Sequence, residues 1–462
     1  MNETEAYLKS LFHQKGIVIN AQFEKLFACF ANDSTNINAV KSIRQLQEDM
    51  TKEWKLIARR AEINDMQFGL PNAVVGKPYA ATINLKQLGL EDVAFFQFSG
   101  FEDCGISFQD ETQTLSGSPK ISGDIWITFS YKLAEETEDT PLNHKQISFI
   151  INPDPKSLWK DIPSNADDVY AKADQMAQQT TFLSHTLQAI SKRGRSHANK
   201  GGFRDDDFAF TELQNGWGVL VVSDGAGSAP YARKGAALAC KAIIDYFVDH
   251  FNDEVNRELE SVIVDFERNP ASAKSPLATA TPYLSAAALN AHQSVANFAA
   301  NANKSIDDFH ATLSFVLIKQ LEHCYAFFSF SVGDGPIALL DKQLGWVKPL
   351  NQLDVGAYGG GTRFITMPEI FEPSNFQNRF NFELTSALPY VFLMTDGIFD
   401  PKFEVEANLN NIEKWKIFMD DLKGANEEGI DALDSSKPDH LAKWANFWSP
   451  GNHDDRTLLI LS

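Results

Sequence analysis

From about residue 180 onward, three apolar runs each end in an Asp-Gly pair, and a fourth begins just after two aspartates. GVLVVS leads into Asp224-Gly225, FFSFSVG into Asp334-Gly335 and YVFLMT into Asp396-Gly397, while Asp454 and Asp455 precede the closing run TLLILS. Short continuous apolar runs bounded by turn residues read as strands buried on both faces. Between them lie apolar helical stretches such as ARKGAALACKAIIDYFVDHF and LSAAALNAHQSVANFAANAN. Strands alternating with helices give a mixed α and β domain. Any single Asp-Gly is a favoured hairpin turn. The set constrains more than its members, because strands of one sheet bring their ends together. Carboxylates gathered there would repel and raise one another's pKa values. Hard divalent cations relieve that repulsion, and an all-oxygen site favours Mg²⁺ or Mn²⁺ over zinc. Glycine after the Asp lets the backbone, with its carbonyl, come close to an ion. The residues alone therefore imply a carboxylate-metal site on a sheet edge. They do not name a reaction.

The first 155 residues follow other rules. Residues 1–60 read as helical: Phe23, Leu26, Phe27 and Phe30 recur at helical spacing after Asn20 as a cap, and a second stripe runs Val40, Ile43, Leu46, Met50, Trp54, Ile57. Such stripes are expected to face a core. Over 61–155 the period changes to two. Tyr79, Ala81, Ile83 and Leu85 alternate with exposed positions, as do Ile125, Ile127 and Phe129, then Ile147, Phe149 and Ile151. Short alternating strands between turn-rich stretches predict a small all-β sandwich. NPDPKSLWKDIPSN is rich in Pro and polar residues, so 156–180 reads as a linker. The remaining domain occupies 181–462.

A chain of 462 residues is expected to form two or three domains. Its net charge of −20 argues against a nucleic-acid surface, which needs clustered Lys and Arg. Cys29, Cys104, Cys240 and Cys324 lie far apart without a Cys-x-x-Cys pair, as expected of reduced, structural thiols. MNETEAYLKS has neither the basic flank nor the apolar segment of a secretion signal. No run approaches the roughly 18 apolar residues that span a bilayer. The expectation is a soluble, cytoplasmic protein with neither nucleic acid nor membrane as partner.

The acidic motifs carry a resemblance. VVSDGAGSA at 221–229, SVGDGP at 331–336, LMTDGIFD at 393–400 and HDDRTLLIL at 453–461 stand in the order of the type 2C metal-dependent Ser/Thr protein phosphatases. GRSHANKGGFRDDDF at 194–208 resembles the opening motif of a bacterial branch of that family, and HATLSFVLI at 310–318 takes the place of its Thr-containing strand. The resemblance implies an α+β fold, a catalytic β-sandwich flanked by helices on both sides. It also implies two Mg²⁺ or Mn²⁺ ions, with Asp224 bridging both and the Gly225 carbonyl helping to bind the second. Asp396 and Asp454 would complete the first ion's shell, Asp205 or Asp206 would serve the second, and Asp334 would mark a third, weaker position. A water held between the ions would attack phosphorus in a phosphoserine or phosphothreonine. A phosphoprotein substrate and a cognate Ser/Thr kinase follow as partners. Separately, GLPNAVVGKPYAATI and LSGSPKISGDIWITF are similar to immunoglobulin-like modules of bacterial multidomain proteins.

The chain departs from the family pattern in places. The phosphate-binding Arg expected five residues before Asp206 is replaced by Gly201, which leaves Arg195, His197 and Arg204 as nearby candidates. Arg195 and His197 are the preferred catalytic pair, because the GRSH element recurs in the branch lacking that Arg. Where relatives carry a His after the Asp-Gly step, this chain has Ala226, and His197 could replace its proton donation. His310 and His453 adjoin motifs and read as structural. The loop DVGAYGGGTRF at 354–364 reads as a flap beside the site, without the Lys-Ser/Thr of a nucleotide P-loop. Two other functions compete with the phosphoprotein phosphatase. One is a catalytically weak scaffold of the same fold, the other a two-metal hydrolase of small phosphate esters. The N-terminal domains would serve as substrate or partner adaptors.

Overall fold

The computed structural model describes residues 2–271, 273–354 and 361–462. Most of the flap expected at 354–364 therefore lies outside the described residues. The chain divides into two compact units, Met1–Leu158 and Trp159–Ser462.

The first unit opens with α1 (Glu3–Gln14), α2 (Glu24–Ala31) and α3 (Ser34–Asp65). Asn2 and Glu5 form a capping box at the start of α1, and the Asp33 side chain caps α3, each satisfying amide donors of a first turn. Asn20 begins only a short 3₁₀ turn and makes no side-chain cap bond. The helical reading of this segment holds, but the core-facing reading of its stripes does not. Leu8, Phe27, Ala31 and Val40 alone make a small buried core. Ile43, Leu46, Met50, Trp54 and Ile57 are all exposed, Leu46 at 61% and Trp54 at 68%. The reason lies in the length of α3. Its start packs Val40 against α1 and α2, and its end packs Leu56 and Ile63 into the β core. Its middle has no neighbour among the described residues of the first unit to cover it.

Seven strands follow: β1 (Ala73–Val74), β2 (Tyr79–Thr82), β3 (Val93–Ser99), β4 (Ile106–Gln109), β5 (Thr114–Gly117), β6 (Gly123–Leu133) and β7 (Asn143–Asn152). They form one sheet ordered β1-β7-β6-β3 and another ordered β2-β5-β4. The alternation read from sequence turns Ile127, Phe129, Ile147, Phe149 and Ile151 inward, against Tyr79, Ala81 and Leu115 from the other sheet. Arg59 pairs with Asp92, and Lys145 donates to the Asn64 carbonyl, which fastens the end of α3 to this body.

The described residues of the second unit form eleven strands: β8 (Gln175–Phe182), β9 (His185–Lys192), β10 (Asp207–Glu212), β11 (Trp217–Ser223), β12 (Leu313–Gln320), β13 (Tyr325–Val332), β14 (Ile337–Leu340), β15 (Val347–Pro349), β16 (Phe380–Thr385), β17 (Tyr390–Met394) and β18 (Arg456–Leu461). They form a five-stranded sheet, β10-β11-β12-β13-β16, and a six-stranded sheet, β15-β14-β17-β18-β9-β8. The apolar runs are buried on both faces, and β11 shows how. Leu220 and Val222 point into a core shared with Leu393, Leu459 and Leu461 of the other sheet. Val219 and Val221 point the other way, to the helices Ala232–His250 and Pro276–Asn301. Phe392 and Met394 face Trp415 and Phe418 on the far side of the six-stranded sheet.

Residues 156–180 do not form a free linker. Arg193 pairs with Asp161 and Asp174, Arg233 with Asp168, and β8 begins at Gln175. Asp161, Asp168 and Asp174 keep contact with solvent but are each held by a buried arginine of the second unit.

Candidate metal centre

Antiparallel pairing brings the acidic strand ends together. Asp207 pairs with Ser223, so the start of β10 lies beside the end of β11 and Asp205 and Asp206 meet Asp224. Met394 pairs with Leu458, so the end of β17, leading to Asp396, lies beside the start of β18, which follows Asp454 and Asp455. Asp334 follows β13 in the sheet of β11. None of these Asp-Gly pairs is a hairpin turn.

Carboxylate oxygens of Asp224, Asp334 and Asp396 lie within 4.8 Å of one another, and so do ligand atoms of His197, Asp454 and Asp455. Burial, then the charges of Asp206 and Asp396, push the Asp224 pKa well above the ordinary carboxylate value. Asp396 is raised well above that value by burial and by Asp454 and Asp334. Burial, with Asp455 next, lifts Asp205 to about 6 and Asp206 to about 7, and raises Asp454 as well. Such mutual elevation is the signature of carboxylates gathered without a counter-charge.

The backbone holds each acid in place. Thr312 grips Asp224 twice: its hydroxyl accepts from the Asp224 amide at 2.9 Å, and its amide donates to the Asp224 carbonyl at 2.8 Å. Asp206 is almost fully buried, its Oδ2 accepting from the hydroxyls of Thr395 at 2.8 Å and Thr457 at 2.7 Å. The Thr362 hydroxyl donates to Asp334 at 2.7 Å. Gly397 has no room for a side chain, since a Cβ there would lie 1.8 Å from the Asp455 carbonyl oxygen. Gly225 likewise packs against Asp205.

Asp455, which sequence reasoning passed over in favour of Asp454, organises the centre. It is buried and accepts from the amides of Gly194 at 2.6 Å and Asp205 at 2.5 Å, and from His197 Nδ1 at 3.1 Å. Burial opposes charging of the His197 ring. The bond to Asp455, with the charges of Asp455, Asp205 and Asp454, outweighs it and lifts the His197 pKa to about 9. Asp455 itself is pulled below the ordinary value, the His197 bond and charge overcoming burial. Its signal in sequence was the doubled Asp before β18. The threonines were also visible, directly before Asp396 and directly after Arg456.

The preferred pair, Arg195 and His197, is split by the structure. His197 Nε2 lies 3.9 Å from both Asp205 and Asp454. Arg195 donates to the carbonyls of Asn446 and Phe447 and stacks over Trp448. Arg204 is buried, donating to Ser191 Oγ and to the Asp206 carbonyl. His310 bonds Thr366 and stacks on Phe364, while His453 packs between Trp159 and Trp448, so both serve packing. Ala226 is buried against Phe364.

The donors fit hard divalent cations. The centre is all carboxylate with one imidazole, and the buried Oδ1 of Asp396 has no hydrogen-bond partner, a cost that an ion would remove. A family model described as protein phosphatase 2C matches residues 193–444, more than half of the chain. The chain belongs to the protein phosphatase 2C family. It is thus a protein serine/threonine phosphatase of the metal-dependent kind. Among solved structures, this phosphatase is similar to serine/threonine phosphatase Stp1 from Staphylococcus aureus, at 13% identity over 63% of this chain and 99% of that one, TM-score 0.35. It is similar also to a bacterial serine phosphatase, at 14% identity over 60% and 96%, TM-score 0.33, and to RsbX in complex with magnesium, at 14% over 62% and 100%, TM-score 0.33. No curated protein matches it. Among the described residues no helix is long and apolar enough to cross a membrane.

Proposed function

We propose that this phosphatase hydrolyses phosphoserine and phosphothreonine in protein substrates at a centre holding two Mg²⁺ or Mn²⁺ ions. The carboxylates converging from strand ends of both sheets, with the unpartnered Asp396 Oδ1, carry this reading. Asp224 would serve both ions, Asp396 and Asp454 would hold the first, and Asp205 or Asp206 the second with help from the Gly225 carbonyl. Asp334, tethered by Thr362, would serve a third. When bound, such ions neutralise phosphate oxygens and make water a nucleophile near neutral pH.

The chain's own groups do the rest. Asp455 orients the His197 ring and favours its protonated form. His197 then holds a proton at Nε2 beside Asp205 and Asp454, available to a phosphate oxygen or to the departing seryl oxygen. Thr312, Thr395 and Thr457 fix Asp224 and Asp206, so the acids need not reorganise during reaction. The first unit would act as substrate or partner adaptor in bacterial signalling, with a Ser/Thr kinase supplying the phosphoprotein. Hydrolysis of an aryl phosphate and then of a phosphopeptide panel, with Mn²⁺, Mg²⁺ or EDTA, tests the reading. Metal-dependent release of phosphate from phosphoserine and phosphothreonine peptides is expected. Turnover that persists in EDTA, or is confined to the aryl ester, would overturn it.

A further inference from the structure

The backbone of Asp205 and Asp206 is held from two ends. At the amide end the Asp455 carboxylate accepts from the Asp205 N–H at 2.5 Å. At the carbonyl end Lys172 Nζ and Arg204 Nη1 both donate to the Asp206 carbonyl oxygen, at 2.5 Å and 2.7 Å. An anion at the N–H end and two cations at the C=O end match the polarity of the peptide groups between them, and charge-assisted bonds of this kind are the stronger ones. The carboxylate that pairs with Lys172 is Asp207, at 3.1 Å. Its ammonium is thus spent on a carbonyl and on Asp207, not on the oxygens that an ion would take.

Lys172 belongs to the segment that precedes β8, ahead of the residues 193–444 that match the family. That segment lies along the loop 193–206, and three buried arginines pin it there. Arg193 donates to the Gly202 carbonyl and pairs with Asp161 and Asp174. Arg204 donates from Nε to the Ala173 carbonyl, and Arg233 donates to the Tyr170 carbonyl and pairs with Asp168. The amides of Lys160 and Ile162 donate to Asn199 Oδ1 and to the Ala198 carbonyl. The Lys172 side chain is only 12% exposed, and burying an ammonium is costly unless it is paired. Here it pairs with the turn that carries two candidate ligands. Arg204 sits two residues from Asp206 and moves with that turn, whereas Lys172 anchors it from 34 positions away along the chain. We propose that Lys172 is a positioning residue for the second ion, an inference that rests on the two-ion reading above. It fixes the Asp205–Asp206 backbone where the two carboxylates meet Asp224, so the second ion's site is completed by a segment outside the matched residues.

Calorimetric titration of the full chain with Mn²⁺ tests this. Lys172→Met keeps the length of the side chain and removes its charge. It is expected to weaken one of two Mn²⁺ sites by about ten- to a hundredfold, as loss of a group that orients a ligand does, and to leave the other unchanged. The Mn²⁺ concentration for half-maximal aryl-phosphate hydrolysis should rise by the same factor, while kcat at saturating Mn²⁺ stays close to wild type. Lys319→Met is the matched control. Lys319 is also buried, donates to the Asn215 carbonyl and pairs with Glu260, but it lies beside Trp217 at the start of β11, whereas Asp224 follows the end of that strand. This variant should melt earlier with both Mn²⁺ affinities intact. Lys172→Gln keeps a donor for the carbonyl without the charge and should fall between wild type and Lys172→Met; it carries the test if the methionine variant does not fold. Wild-type affinity at both sites in the Lys172 variants, or equal weakening in Lys319→Met, would overturn the positioning role alone. A wild-type chain that binds fewer than two Mn²⁺ ions would overturn the two-ion reading and this role with it.

Discussion

The two units break the rule of apolar inside and polar outside in opposite directions. In the second unit, carboxylates crowd into a partly buried pocket and raise one another's pKa values. In the first, a helix of 32 residues leaves its apolar stripe open along its middle. Each violation costs stability in the isolated chain; bound cations would relieve the first and a covering apolar surface the second. The acidic pocket is the more constrained. Threonine hydroxyls, glycine backbones and Asp455 fix it atom by atom, whereas the stripe is held only at its two ends.

If the acids are the working residues, the most severe change is to Asp224. Asp224→Asn removes the charge that both ions would share and should lower Mn²⁺-dependent turnover by ~1,000-fold or more, with the circular dichroism spectrum unchanged. A variant keeping more than about a tenth of the wild-type rate would show that the pocket's crowding has another purpose.

A smaller effect separates His197 from Arg195. His197 faces the acids and Arg195 is spent on carbonyls, so His197→Ala should lower kcat/KM on a phosphopeptide by about ten- to a thousand-fold. Arg195→Ala should alter thermal stability more than turnover. The reverse ranking would mean that Arg195 leaves its carbonyls to meet phosphate.

The strand ends, the order of the acidic motifs and the period change near residue 61 were all legible in the sequence, because each depends on local pattern. The role of Asp455 was not, since its value comes from amides of Gly194 and Asp205, about 250 positions away along the chain. The same holds for Arg195, whose carbonyl partners lie on the segment before β18. The α3 stripe misled for a related reason. Periodicity reports that a face is apolar, and whether anything covers it is decided by tertiary neighbours.

Metal should also appear as stability. In the metal-free protein Asp205 and Asp206 titrate near 6 and near 7, above the ordinary 3.8. A carboxyl with a raised folded-state pKa favours folding while protonated, so the melting temperature should fall as pH rises from about 4 through 7. Asp455, shifted the other way, stays ionised across this window and does not reverse the trend. Mn²⁺ at a hundred times its dissociation constant should restore about 2.7 kcal/mol at pH 7 and less at pH 5, where protons compete for the same oxygens. A flat pH profile, or equal stabilisation at both values, would remove the acids' repulsion as the reason for metal binding.

The smallest expected effect tests the other side of the contrast. An exposed apolar residue contributes little to folding of the single chain, since it is solvated before and after. Leu46→Gln and Trp54→Gln should therefore shift unfolding by less than about 0.5 kcal/mol at protein concentrations too low for association. Phe27→Ala, in the small core beneath α1 and α2, should lower it by about 3 kcal/mol. Denaturant unfolding of the dilute chain followed by far-ultraviolet circular dichroism reads this difference. If Leu46→Gln costs as much as Phe27→Ala in the dilute chain, the stripe is covered within one molecule, and the symmetry between the two violations fails on this side while the acidic pocket still stands.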